Sequence, residues 1–144
     1  MPLEGTHKPG TWDYSNTQVQ RYESSGGTKG IIAAGKPVVV LWTRGRRSGA
    51  IRKTPVMRVK DGDSYAAVAS KGGSSEHPEW YLNLVDDPHV TLQDGPAIGD
   101  YVARTATADE RAEWWPKATG AYPLYDSYQA KTKREIPLVI LEPA

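Results

Sequence analysis

Between Arg44 and Lys60 the chain carries seven basic residues (Arg44, Arg46, Arg47, Arg52, Lys53, Arg58 and Lys60) and no acidic one. The rest of the 144-residue chain carries 11 basic against 17 acidic residues, so a net charge of +1 conceals a local concentration of positive charge. Within it, Gly45-Arg46-Arg47-Ser48-Gly49-Ala50-Ile51-Arg52 puts three guanidiniums and a hydroxyl around a glycine-bounded turn. Guanidiniums grip phosphate and carboxylate bidentately, and glycines let backbone N–H groups approach a ligand, so this segment is a candidate anion site. It is neither a Walker loop nor a dinucleotide fingerprint, because no helix with the required glycine spacing follows. Basic residues interleaved with Tyr and Trp also suit single-stranded nucleic acid. The near-neutral charge balance and the single compact cluster weigh against that partner.

A second constellation is Ala69-Ser70-Lys71-Gly72-Gly73, with Trp80-Tyr81-Leu82-Asn83-Leu84 soon after it. A strand end opening into a Gly-Gly loop, then a short aromatic helix, can hold a flat ring between backbone and indole; the plainer reading is a loop beside a core Trp80. The third is Tyr122-Pro123-Leu124-Tyr125-Asp126-Ser127-Tyr128, whose three tyrosines recur at spacing three and can share one helical face. They are either the wall of a substrate pocket, offering phenol donors, or a hydrophobic cover with its hydroxyls in water. Metal and nucleophile chemistry find little support. His7, His77 and His89 have no helical pairing with carboxylates, there is no Cys, and no Gly-x-Ser-x-Gly elbow occurs.

These residues need elements to position them. Val38 to Thr43 reads as a buried strand and Ile51 to Lys60 as an alternating one, with Pro55 marking an edge or a bulge because it cannot donate to a ladder. Lys60-Asp61-Gly62-Asp63 predicts a hairpin turn into a strand over Ser64 to Ser70. Lys71 to Ser75 reads as a flexible loop and Glu79 to Val85 as a short helix ending before Pro88. Val90 to Gln93 and Ala97 to Thr105 predict two strands about Asp94-Gly95. Thr107-Ala108-Asp109-Glu110 is a capping box for a helix through Trp114 and Trp115, and Ile136 to Leu141 is the last strand. The expected fold is α+β, a small barrel with short helices, over residues 37–144. Residues 1–36 are expected to form a loosely docked arm, with a short helix over Asn16 to Ser25.

Composition limits the class further. No apolar run approaches the ~20 residues a spanning helix needs, and no basic segment followed by an apolar one marks an export signal. A cytoplasmic location is expected, with the N-terminal arm as the one candidate for peripheral membrane contact. The oligomeric state is not legible.

Taken in order, three stretches resemble one family: Leu41-Trp42-Thr43-Arg44-Gly45-Arg46-Arg47-Ser48-Gly49 with Pro55, Ala69 to Gly73, and Trp80 to Leu84 with Pro88 and Val90. Ala112-Glu113-Trp114-Trp115-Pro116, Tyr122-Pro123 and Ile136-Pro137 extend the match to roughly residues 13–143. The family is the deazaflavin (F420)-dependent nitroreductases and F420H2-dependent quinone reductases of actinobacteria. Arg44 stands where the family commonly has Thr, and Trp42 replaces a smaller residue.

The resemblance implies a split β-barrel and hydride transfer from reduced coenzyme F420 to an electron-poor small molecule, such as a quinone, a nitroimidazole or an activated enone. It puts the coenzyme's phosphate and glutamate tail on Arg46, Arg47, Ser48 and Arg52. The deazaflavin ring falls near Val68, Ala69, Ser70, Lys71 and Trp80, with Pro55, Gly72, Tyr81 and Asn83 completing the coenzyme site. The acceptor then lies beside Ser70, Tyr122, Tyr125 and Tyr128, the expected catalytic residues. An acid-free basic segment suits a tail of phosphodiester and carboxylates. A non-catalytic F420 or lipid carrier and an FMN-binding relative, both of the same fold, are the alternatives.

Overall fold

The computed structural model describes residues 3–7, 32–33 and 36–144; the expected Asn16–Ser25 helix lies outside them. Eight strands form one antiparallel sheet: β1 (Ile32–Ala33), β2 (Lys36–Arg44), β3 (Ile51–Met57), β4 (Val59–Asp61), β5 (Ser64–Val68), β6 (His89–Asp94), β7 (Ala97–Thr105) and β8 (Leu138–Pro143). Among the described residues three α-helices accompany it, α1 (Glu79–Asp86), α2 (Ala108–Ala121) and α3 (Leu124–Lys131).

The sheet runs β3-β2-β6-β7-β8-β5-β4, with the two-residue β1 also paired to the start of β2. Its two ends are consecutive in sequence, since only Arg58 separates β3 from β4. The strand expected over Ile51 to Lys60 is therefore two strands that turn at Arg58, whose N–H donates to Pro37 O at 3.1 Å. This turn curls the sheet into the expected α+β split barrel. Pro55 sits opposite Val40, and among the described residues β2 is the only strand paired with β3. A residue with no N–H is tolerated where no further strand pairs.

Strands β5 and β8 are apolar on both faces because a core lies on each side of them. Tyr65, Ala67, Val139 and Leu141 face the barrel interior with Leu41, Val90 and Leu92. Ala66, Val68, Leu138 and Ile140 face outward, beneath Trp114 and Ala118 of α2 and Tyr125 of α3. Helix α1 contributes Trp80 and Leu84 to the interior. The Thr107–Glu110 capping box is present, with Thr107 Oγ1 accepting from Glu110 N and Glu110 accepting from Thr107 N.

Two further local expectations are corrected. The last strand starts at Leu138 rather than Ile136: Ile136 N and O are held by Gln129 and Arg111, and Pro137 O accepts from Ala69 N. The segment after β5, expected as a loop, is a short helical turn. Lys71, Gly72 and Gly73 form a tight turn with φ of 45°, 64° and 82°, and Gly73 is buried under α3, where a Cβ would sit 2.9 Å from Tyr128 O. Residues 3 and 6 of the N-terminal segment contact the sheet. Leu3 is buried and its N–H donates to Thr91 Oγ1 at 2.7 Å, while Thr6 O accepts from Ile51 N at 2.7 Å.

Candidate functional site

Strand β2 ends at Arg44, and the chain reverses through residues 45–50 to enter β3. Gly45 N donates to Ala50 O at 2.7 Å and Gly49 N to Gly45 O at 2.8 Å. Gly49 takes φ +71°, and a Cβ on Gly45 would lie 3.0 Å from Ser48 Oγ and 3.1 Å from Ala50 O, so both glycines are required by the turn. Ser48 Oγ accepts from Ala50 N at 3.1 Å, so the hydroxyl shapes the turn before it meets any ligand.

This turn and β3 border a cleft of about 440 Å³ lined by Gly45, Arg46, Arg47, Ser48, Arg52, Lys53, Thr54, Glu79, Trp80 and Asn83. Helix α1 forms the opposite wall and is tied to the turn through Asn83, which is buried. Its Oδ1 accepts from Arg46 N at 3.2 Å and from the Arg46 guanidinium at 3.0 Å, and its Nδ2 donates to Thr43 Oγ1 at 3.3 Å. Arg46 also pairs with Glu79 at 2.7 Å. That hydrogen bond, helped by the charges of Arg46, Arg47 and Lys71, holds the Glu79 carboxyl below the usual carboxylate range.

The seven cations that look like one cluster in sequence are dispersed by the fold. Arg46, Arg47, Arg52 and Lys53 line the cleft. Arg44 instead donates to Gly49 O at 3.0 Å and to Glu4 O at 2.8 Å, fastening the N-terminal segment. Arg58 grips both carboxylate oxygens of Asp94 at 3.0 Å, and Lys60 donates to Gly62 O. The cleft thus holds four cations and one carboxylate.

The expected ring-binding residues divide between two cores. Val68 packs outward with Tyr125, while Ala69 packs inward with Trp80. Ser70, which follows them, is also buried. Lys71 is exposed and lies 3.9 Å from Glu76; Gly72 is exposed at the crest of the turn. Tyr81 makes a hydroxyl contact of 2.9 Å with Thr105 on β7. Pro55 is half-buried in β3, one residue past the cleft-lining Thr54.

The three tyrosines meet as one cluster. Tyr122 ends α2, and Tyr125 and Tyr128 lie on α3, with ring centroids 5.0 to 6.4 Å apart. The Tyr122 and Tyr128 hydroxyls lie 3.0 Å apart. That contact and burial push the Tyr122 phenol up to about 12. Tyr125 is buried beneath them, and burial raises its phenol well above the usual range.

Two contributors are invisible to motif reading. Glu79 lines the cleft yet reads as an ordinary first-turn helix acid. Arg134 belongs to the charged run Lys131-Thr132-Lys133-Arg134-Glu135, which reads as a solvated surface, but its guanidinium reaches the loop after β5. No periodicity in the run singles it out; the adjacent Ile136-Pro137, which leads into β8, is the nearest signal. Among the described residues no cluster of three or more His, Asp or Glu side chains suits a metal ion, and no helix is long and apolar enough to cross a membrane.

Comparison with known proteins places this geometry. The family model for F420H(2)-dependent quinone reductase matches residues 14–143. A Mycobacterium tuberculosis relative that carries the name of an F420H(2)-dependent quinone reductase is 38% identical over 107 residues, 74% of this chain and 90% of its own. A solved F420-H2 dependent reductase, FDR-A, superposes with a TM-score of 0.70 at 47% identity, covering 74% of this chain and 94% of that one. A second solved structure, described as a domain-swapped dimer, gives a TM-score of 0.73 at 43% identity over 90% of this chain and 98% of its own.

Proposed function

Because the chain belongs to the F420H(2)-dependent quinone reductase family and is an F420H2-dependent reductase, we propose that it reduces a quinone, with the coenzyme's tail in the cleft beside α1. The observation that carries this reading is the cleft itself: Arg46, Arg47, Arg52 and Lys53 around a single carboxylate, Glu79. The residues fit the group. A tail of phosphodiester and carboxylates supplies several negative charges, and four clustered cations offset what that many charges would otherwise lose on leaving water. Trp80 lines the same cleft and packs with Ala69, so a ring joined to that tail has an indole and a strand end within its reach.

Bound in its reduced form, F420 supplies the hydride. This chain's residues supply position, exclusion of water and hydrogen-bond donors. Ser70 and the tyrosine cluster are the donors proposed for the acceptor. A two-electron reduction of a quinone carbonyl builds negative charge on oxygen, and a donor aimed there stabilises the transition state. Two hydroxyls 3.0 Å apart share one hydrogen bond, so one of the Tyr122–Tyr128 pair retains a proton to donate outward. The Tyr122 phenol, at about 12, stays protonated across the physiological range and acts as a donor, not a base. Nitroimidazoles and activated enones build the same kind of oxyanion and are proposed as secondary acceptors.

The test is reoxidation of F420H2 by a soluble quinone, followed at the absorbance band of the oxidised deazaflavin. Catalysed reoxidation is expected. Tight F420 binding with no turnover on any quinone, enone or nitro compound would assign the chain to non-catalytic carriage.

A further inference from the structure

We propose that Arg134 is the positioning residue of this site, one side chain that holds both walls of the slot proposed for the deazaflavin ring. The inference rests on placing the ring between the end of β5 and Trp80. Arg134 donates to Ala69 O at 3.2 Å and Ser70 O at 2.8 Å, both on the strand-end wall. It also donates to Ser74 O at 2.8 Å and lies 3.0 Å from His77 Nδ1, both on the loop that leads into α1. An arginine can only donate, so His77 Nδ1 accepts and the ring carries its proton on Nε2. His77 in turn lies 4.9 Å, centroid to centroid, from the Tyr81 ring. A contact chain therefore runs from the C-terminal side of α3 through Arg134 to both wall segments.

Three features make this more than surface packing. First, among the described residues no carboxylate pairs with Arg134, so its part-buried charge is satisfied by neutral acceptors alone. A cation against the carbonyls of Ala69 and Ser70 polarises those peptide groups and strengthens the donors at their other ends. Second, the turn beyond Ser70 holds Lys71 at φ 45°, a conformation that a side-chain-bearing residue keeps only when its surroundings fix it. The Ser70 carbonyl accepts from Arg134 and from Gly73 N at 2.9 Å, which fixes that turn at its base. Third, four acceptors in different directions demand the planar fork of a guanidinium. A lysine ammonium keeps the charge without that geometry.

The test uses tryptophan-fluorescence titration of the full chain with F420 and with the same ring carrying only its ribityl chain, alongside melting temperatures. Arg134→Lys is expected to melt near the wild-type temperature and to bind both ligands about tenfold more weakly, the loss of roughly one charge-assisted hydrogen bond. Arg134→Gln should weaken both ligands by at least as much. Arg47→Ala, in contrast, should weaken only the tailed coenzyme. Wild-type affinity of a folded Arg134→Lys and Arg134→Gln for both ligands would overturn the positioning role and leave the cleft reading intact. Unchanged F420 affinity in Arg47→Ala and Arg52→Ala would instead remove the cleft reading, whatever Arg134 does.

Discussion

Asn83 accepts hydrogen bonds from both the backbone N–H and the guanidinium of Arg46, at 3.2 and 3.0 Å. One buried amide thereby sets the distance between the turn at residues 45–50 and α1. Asn83→Ala removes both contacts and leaves Thr43 Oγ1, which is buried, without its donor. The expected cost is about 1–3 kcal/mol of stability, read from denaturant unfolding, together with weaker F420 binding. A variant as stable as wild type would show that the turn holds its place unaided.

Arg47→Ala and Arg52→Ala should preserve the fold and weaken F420 roughly ten- to a hundredfold, as expected for charge-assisted contacts. The deficit should shrink as salt rises, because screening already weakens the attraction in the wild type. Titration at two ionic strengths checks both statements.

Glu79→Gln should do the opposite. Glu79 is exposed and holds an Arg46 nitrogen at 2.7 Å that an incoming carboxylate or phosphate could use. Removing its charge takes away a competitor, so the tailed coenzyme should bind severalfold more tightly at low salt, with the tail-less ring unaffected. Weaker binding of the tailed form would mean that Glu79 serves instead to hold Arg46 in its binding orientation.

Much of the fold is legible in the sequence because its signals are local: alternation in the strands, glycine in the Gly62 and Gly95 turns, the Thr107 cap. Contacts across long separations are not. Arg58 meets Asp94, and Arg134 meets Ser70, only because the barrel closes. Composition likewise counts seven cations as one cluster, whereas the fold sends Arg44 and Arg58 elsewhere. The three tyrosines were legible as sharing a face, but their spacing does not disclose that Tyr125 lies beneath and that Tyr122 pairs with Tyr128.

Tyr122→Phe should spare coenzyme binding and lower kcat/KM for a quinone by about 2–4 kcal/mol of transition-state stabilisation if its hydroxyl reaches the developing oxyanion. Its phenol also predicts a pH response. The folded protein keeps the proton up to about 12 while the unfolded chain releases it near 10. Stability should therefore fall as pH rises through that window, and Tyr122→Phe should lessen the fall. Phenolate absorbance and melting temperature measured together check this. Wild-type rates for Tyr122→Phe and Tyr128→Phe on every acceptor would make the cluster a hydrophobic cover.

His77 gives a response at the acidic end. Burial, and then the charge of Arg134, lower its ring below the usual 6.5. The unfolded chain takes up a proton first as pH falls, so stability present above 6.5 should decline below it until the folded ring titrates as well. Protonation would also set a second cation against Arg134 and take away the Nδ1 acceptor. His77→Asn should flatten the decline, and an NMR titration of the imidazole proton locates the folded value.

Arg44, which reaches both Glu4 O and Gly49 O, has a further consequence. Residues 4 to 6 and the turn at residues 45–50 share one side chain, so their equilibria are coupled, and the coupling free energy is the same read from either end. A ligand that orders the turn should slow hydrogen exchange at the Leu3 and Ile51 amides. Trimming the chain ahead of Thr6 should weaken that same ligand by the matching factor, with no residue of the cleft changed.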